Sequence, residues 1–211
     1  KGIKKNKLKI INNGFIFEKN KPKIFNKKKI IFTSVSRIIP YKGHLLLIEL
    51  FDRLCNRNNN IYLQIVGDTL PQYQKYFNKL KFMIKNKGLD DKILFTGFRN
   101  DISYILLNSS FFIHTPISPD PFPTVIFEAI QTNTPIITNK LGGAFEILNN
   151  GSNCLIINND LIIESADKIL NYISNKELQN ENVQDALSYV YDNFSFKKFK
   201  TKILDIVEQK T

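Results

Sequence analysis

Ile30-Ile31-Phe32-Thr33-Ser34-Val35, followed at once by Ser36-Arg37-Ile38-Ile39-Pro40-Tyr41-Lys42-Gly43, decides how this chain folds. The first six residues are mostly β-branched or aromatic and apolar, the pattern of a strand buried on both faces. Helical spacing begins at Leu45 and runs to Leu54. A buried strand, a short loop and an amphipathic helix make the first part of a parallel βαβ unit.

Working outward, the same alternation recurs. Strands are expected at Ile61–Val66, Lys92–Thr96, Phe111–Thr115, Pro135–Thr138 and Cys154–Ile157. Helices are expected over Tyr73–Lys87, from an Asp101 cap through Asn108, and over Thr124–Thr132. After Asp160 the pattern is helical only, over 161–174, about 177–191 and 196–209. The fold class is therefore α/β: a Rossmann-like parallel sheet of about six strands, flanked by helices, with a helical C-terminal end. One domain, 30–211, follows a basic linker segment, 1–29.

The chain has 211 residues, of which 43% are hydrophobic, enough for one sizeable core. Its net charge of +11 is unevenly placed. Residues 1–30 carry eleven lysines against one acid, Glu18, whereas the remainder carries 19 bases against 18 acids. The lysine-rich lead reads as a solvated segment first and a peripheral membrane contact second. Aromatics are not interleaved with these lysines, which argues against specific nucleic-acid binding. Cys55 and Cys154 lack metal spacing and read as buried thiols of a reducing compartment. No apolar run reaches the ~18–20 residues of a membrane span, and no signal-peptide pattern is present. The chain is expected to be cytoplasmic, with the membrane's cytoplasmic face as its one peripheral site.

In a parallel sheet the ligand sits beyond the carboxyl ends of the strands. Three segments there carry chemistry. Arg37 and Lys42 follow the first strand and suit a diphosphate, Arg37 by its bidentate fork and Lys42 as a compact charge. The pair alone would equally fit a solvated loop, and its place at a strand's carboxyl end favours the functional reading. Ser118-Pro119-Asp120-Pro121-Phe122-Pro123-Thr124-Val125-Ile126-Phe127-Glu128-Ala129 separates two carboxylates by seven residues. Prolines keep it extended up to a helix start, where free N–H groups favour an anion. Glu128 lies one turn in and can accept from two neighbouring hydroxyls, as on a ribose. Alone, Glu128 reads as a surface acid and Asp120 as a cap. Thr96-Gly97-Phe98-Arg99 ends the third strand with backbone accessible to a planar base, though without context an ordinary αβ loop is the better reading.

The two histidines, His44 and His114, form no cluster with acids or cysteines, and no metal site is expected. His114 reads as a satisfied core residue. The Gly-x-Ser-x-Gly elbow, the Gly-x-Gly-x-x-Gly fingerprint and the Walker loop are absent.

Taken in order, Ser36-Arg37-Ile38 with Lys42-Gly43, Val66-Gly67-Asp68, Phe95-Thr96-Gly97, His114-Thr115-Pro116, Asp120 through Glu128-Ala129, Thr134-Pro135-Ile136-Ile137 and Gly142-Gly143 resemble the carboxy-terminal domain of family-four retaining glycosyltransferases, half of a GT-B fold. Asn12-Asn13-Gly14 resembles that domain's incoming strand and turn, and Asn193-Phe194-Ser195 its closing signature.

The resemblance implies transfer of a sugar from a UDP-, GDP- or ADP-sugar to a glycan or lipid-linked acceptor, in polysaccharide or glycoconjugate biosynthesis, with no required cofactor. It places Arg37, Lys42 and Asp120 in the catalytic machinery. Arg37, Lys42, Gly97, Phe98, Arg99, Phe122, Pro123, Thr124 and Glu128 would hold the donor. Ser36, Asp120 and Pro123 depart from the commoner Gly, Glu and Gly, and Pro123 cannot donate an N–H. The family's N-terminal acceptor domain is absent from the sequence, so this domain alone is expected to be inactive and the last helix to expose its apolar face. A GT-B epimerase or phosphorylase, or a non-enzymatic module for anionic surfaces or nucleic acid, are the alternatives.

Overall fold

The strand Phe111–His114 shows how the sheet is buried. Phe111 and Ile113 enter one core and Phe112 the other, as alternation along a strand requires. Both faces are covered, so the strand reads as unbroken apolar sequence. The computed structural model describes residues 10–17 and 29–208. Ten of the eleven lysines of the lead lie outside these residues.

Six parallel strands, β1 (Ile30–Val35), β2 (Ile61–Val66), β3 (Ile93–Gly97), β4 (Phe111–His114), β5 (Ile136–Asn139) and β6 (Leu155–Ile157), lie in the order β3-β2-β1-β4-β5-β6. Helices α1 (His44–Cys55), α2 (Gln74–Asn86), α3 (Ile102–Leu107), α4 (Val125–Gln131), α5 (Gly143–Ile147), α6 (Ile162–Ser174), α7 (Lys176–Phe194) and α8 (Phe196–Glu208) complete the chain. On one face, Phe32, Phe51, Phe111, Ile137 and Tyr172 join α1, α2 and α6 to the sheet. On the other, Phe112, Phe127, Ile136, Val190 and Phe194 join α3, α4 and α7. Each fully buried Phe contributes roughly 1.5–3 kcal/mol of apolar transfer.

Two local expectations need correction, and one helix was not foreseen. Asp101 does not cap α3 with its side chain, because Arg99 takes both carboxylate oxygens at 2.8 and 2.5 Å. A charge-assisted fork outcompetes a neutral N–H donor. The short helix α5 was not anticipated, and a helix opening on Gly143 carries no periodic signal. Asn12-Asn13-Gly14 leads not into a strand but into one isolated bridge. There the Phe15 N–H donates to the Phe194 carbonyl at 2.7 Å, and the Phe196 N–H to that of Phe15 at 2.9 Å. These bonds tie the incoming chain to the α7–α8 corner, and the Phe15 ring stacks on Phe127 of α4 at 5.0 Å. α8 itself buries none of its residues.

The strand order reverses direction between β1 and β4. Chains leaving these two neighbours turn to opposite faces and open a crevice above their carboxyl ends. The loops 36–43 and 115–124 border it.

Candidate functional site

The loop after β1 is held at both ends and free in the middle. The Ser36 N–H donates to the Val66 carbonyl at 3.0 Å and the Ile38 N–H to that of Asp68 at 2.9 Å. Ile38 and Ile39 are buried, which leaves Arg37 between them and Ser36 facing outward. Arg37 makes no ion pair among the described residues. Pro40–Lys42 forms one 3-10 turn that ends at Gly43, whose φ is 75°. A Cβ at Gly43 would overlap the Thr115 carbonyl oxygen. Only glycine lets α1 start this close to β4.

The loop after β4 meets the first one directly. The Ile117 N–H donates to the Tyr41 carbonyl at 3.0 Å. The Lys42 ammonium donates to Asp120 Oδ2, with the two side chains 19% and 23% exposed. The Lys42 end of the first constellation thus meets the Asp120 end of the second. Gly142-Gly143, a weak signal in isolation, closes on it from β5: the Gly143 N–H donates to the Asp120 carbonyl at 2.6 Å. A side chain at Gly143 would overlap the Pro121 carbonyl, so the glycine pair is a seat for the Asp120 loop.

Helix α4 spans only seven residues, which limits the dipole that could add to the free N–H groups at its start. Phe122 turns inward, with its ring 5.3 Å from Phe127 and 6.2 Å from Phe194, and Pro123 is buried. The Phe122 ring and Pro123 therefore leave only backbone to face the loop's outer side. Thr124 is exposed. Glu128 is half-buried with no partner for its carboxylate among the described residues, and burial raises its pKa. A desolvated carboxylate without a partner is poised to accept hydroxyl donors.

His114 is not the satisfied core residue expected. Thr138 Oγ1 donates to the His114 carbonyl at 2.9 Å and lies 3.5 Å from Nδ1, but Nε2 is buried without a partner. Burial, and then the Lys42 charge, lower its pKa to about 4, with Asp120 opposing. His44 is lowered to about 4 as well, chiefly by burial, and its Nε2 lies 3.3 Å from Ser36 Oγ. Two neutral imidazoles therefore lie beneath the two loops.

The third constellation sits farther along the rim. The Gly67 N–H donates to the Gly97 carbonyl at 2.9 Å, joining the loops of β2 and β3. Phe98 is 77% exposed, and Arg99 is committed to Asp101, which raises its pKa. At the opposite end, a cavity of about 490 Å³ lies between the loops of β5 and β6, lined by Asn139, Lys140, Asn159 and Lys168 among others. Arg37, Lys42, Asp120 and Glu128 do not line it. Among the described residues no three His, Cys, Asp or Glu side chains group to hold a metal ion. No helix among them is long and apolar enough to cross a membrane.

Comparison with known proteins gives this geometry a context. The model of the family described as glycosyl transferases group 1 matches residues 15–187. The GPI3 subunit of phosphatidylinositol N-acetylglucosaminyltransferase from Saccharomyces cerevisiae is 23% identical over 79% of this chain and 36% of its own length. An Escherichia coli UDP-Gal:alpha-D-GlcNAc-diphosphoundecaprenol alpha-1,3-galactosyltransferase is 27% identical over 95% of this chain and 54% of its own length. The crystal structure of Anabaena HepE with UDP and glucose superposes with a TM-score of 0.78 at 26% identity, covering 86% of this chain and 48% of HepE. The C-terminal domain of a group 1 glycosyl transferase from Francisella tularensis shares the fold, with a TM-score of 0.70 at 22% identity over 81% of this chain and 90% of that domain. The chain spans about a third to a half of the length of the full-length relatives it matches.

Proposed function

Because the chain belongs to the glycosyl transferases group 1 family, we propose that it is the donor-binding half of a retaining glycosyltransferase that moves a sugar from a nucleotide diphosphate, UDP first among the candidates. A second domain would supply the acceptor side. HepE, at 26% identity, has been solved with UDP-glucose, which supports a UDP-sugar here.

The observation that carries this reading is the Lys42–Asp120 contact at the β1/β4 crevice. It sets a cation and a carboxylate side by side where the two loops meet, with Arg37 at the other end of the Lys42 loop. In this reading Arg37 and Lys42 neutralise the donor diphosphate and the charge that grows on it as the bond to the anomeric carbon breaks. Electrostatic stabilisation of a leaving group is often the largest catalytic term. Asp120 faces the donor sugar hydroxyls. The Glu128 carboxylate accepts from both ribose hydroxyls, which would return the solvation it lacks in the free chain. Backbone groups of Phe122 and Thr124 border the sugar, and Gly97, Phe98 and Arg99 the base. Charge compensation comes from side chains, so this reading calls for no metal or cofactor.

Calorimetric titration with UDP, GDP and ADP tests it. Saturable binding of at least one is expected. Absence of binding by all three removes the donor-site assignment.

A further inference from the structure

Pro116 opens the loop that carries Asp120, and three segments of the rim converge on it. Asn139, the last residue of β5, donates Nδ2 to the Pro116 carbonyl at 2.7 Å. Asn159, in the turn between β6 and α6, donates its own Nδ2 to the same oxygen at 3.0 Å. Both lone pairs of that carbonyl are then used. The next N–H along, from Ile117, is taken by Tyr41. Pro116 has no N–H of its own, so the carbonyl is the one backbone handle it offers.

Both amides give something up to hold this position. Asn139 is 4% exposed, and the side-chain oxygens of Asn139 and Asn159 are buried without partners among the described residues. Buried amides ordinarily satisfy both ends. Rotating either amide would turn its oxygen against the Pro116 oxygen, so the observed orientation is the one the carbonyl allows. Two unsatisfied oxygens are tolerated to keep two donors on one point of backbone. That pattern serves placement better than stability.

We infer that Asn139 and Asn159 are positioning residues, a two-amide clamp on Pro116 that sets where Asp120, and with it Lys42, meet the donor. Neither touches the donor. The inference rests on the donor-site reading of Asp120 given above. Without the clamp, residues 115–119 have no regular structure to fix the carboxylate. The loop would then keep the Ile117–Tyr41 bond, the Lys42 contact and the Gly143 seat but lose the anchor at its start.

Asn159 is half-buried and borders the cavity between the β5 and β6 loops, so its replacement leaves the fold intact even if a change at buried Asn139 does not. Asn159→Asp keeps the size and removes the N–H donor, while Asn159→Gln keeps a donor. Amide hydrogen exchange at Ile117, Ser118 and Asp120 is expected to rise about fivefold in Asn159→Asp, the loss of one hydrogen bond, and to return toward wild type in Asn159→Gln. Affinity for the best-binding of UDP, GDP and ADP should fall and recover in the same order, by about fivefold. Unchanged exchange in Asn159→Asp overturns the clamp. Raised exchange with unchanged affinity overturns its role in positioning. A wild-type protein that binds none of the three nucleotides removes the donor-site reading instead, and the exchange measurement still decides the clamp.

Discussion

Lys42 and Asp120, 78 residues apart in sequence, form a part-buried ion pair that joins the loop after β1 to the loop after β4. The pair lies in the crevice between adjacent parallel strands whose connecting helices leave on opposite faces. Its two charges partly neutralise each other in the free chain, so an incoming anion must engage Lys42 against the pull of Asp120.

That relationship is measurable as a coupling energy. Lys42→Met and Asp120→Asn should each destabilise the fold, and the double variant should lose less than their sum. A coupling of about 1 kcal/mol is expected for a pair that is neither fully exposed nor fully buried. Urea denaturation of the four proteins measures it, and strictly additive losses mean that the contact does not form in solution.

Arg37 should separate binding from stability. It is exposed and makes no ion pair among the described residues, so Arg37→Ala should shift stability by less than about 0.5 kcal/mol. Nucleotide affinity should nevertheless drop about tenfold or more, the range for a charge-assisted hydrogen bond to phosphate. Parallel thermal melts and titrations decide the matter. Equal affinity in the two proteins would remove Arg37 from the site.

Glu128 should show the opposite sign in stability. Burial raises its pKa above the ordinary 4.5, so the folded state holds this proton to higher pH than the unfolded state does. The group therefore favours folding below the unfolded pKa, and this advantage fades as pH rises through the folded value. Above it, an ionised, unpaired carboxylate weighs against the fold. Glu128→Gln should leave stability at pH 7 unchanged or slightly higher, while weakening nucleotide binding by removing a charged acceptor. A variant that binds as tightly as wild type would contradict the ribose assignment.

The two buried imidazoles predict acid sensitivity. His44 and His114 are each lowered from 6.5 to about 4, so the unfolded chain binds protons that the folded chain refuses. Their contribution is complete above about pH 6.5 and is lost as pH falls toward 4, by roughly 3 kcal/mol each at the limit. The melting temperature should fall steeply over that window. His114→Gln should flatten the fall, and a wild-type melting temperature constant from pH 7 to 5 would show that these rings are not held neutral.

The order of strands and helices was legible because it is local. β-branched runs such as Ile30–Val35, and helical spacing such as Leu45–Leu54, record which side chains must leave water along one short stretch. Placing the chemistry at the carboxyl ends followed from the fold class alone, and the family resemblance rested on motifs read in that order. Arg37, Lys42, Asp120 and Glu128 were therefore nominated from the sequence before any geometry was known, and the structure adds the Lys42–Asp120 contact. Asp101 was misread as a cap because Arg99, two residues earlier, offered its carboxylate a stronger partner.

What only the tertiary structure decided is which loops touch. The sequence placed Lys42 and Asp120 on separate loops, and neither carries a local mark of the other. Their contact exists because β1 and β4 are neighbours, an order set by covering both faces of the sheet at once. The seat that Gly142-Gly143 provides for Asp120, the unpartnered nitrogen of His114 and the meeting of Asn139 with Asn159 on Pro116 arise in the same way. Periodicity reports how each segment meets water. The positions of its loops depend on packing energies summed over the whole sheet, which no short window of sequence contains.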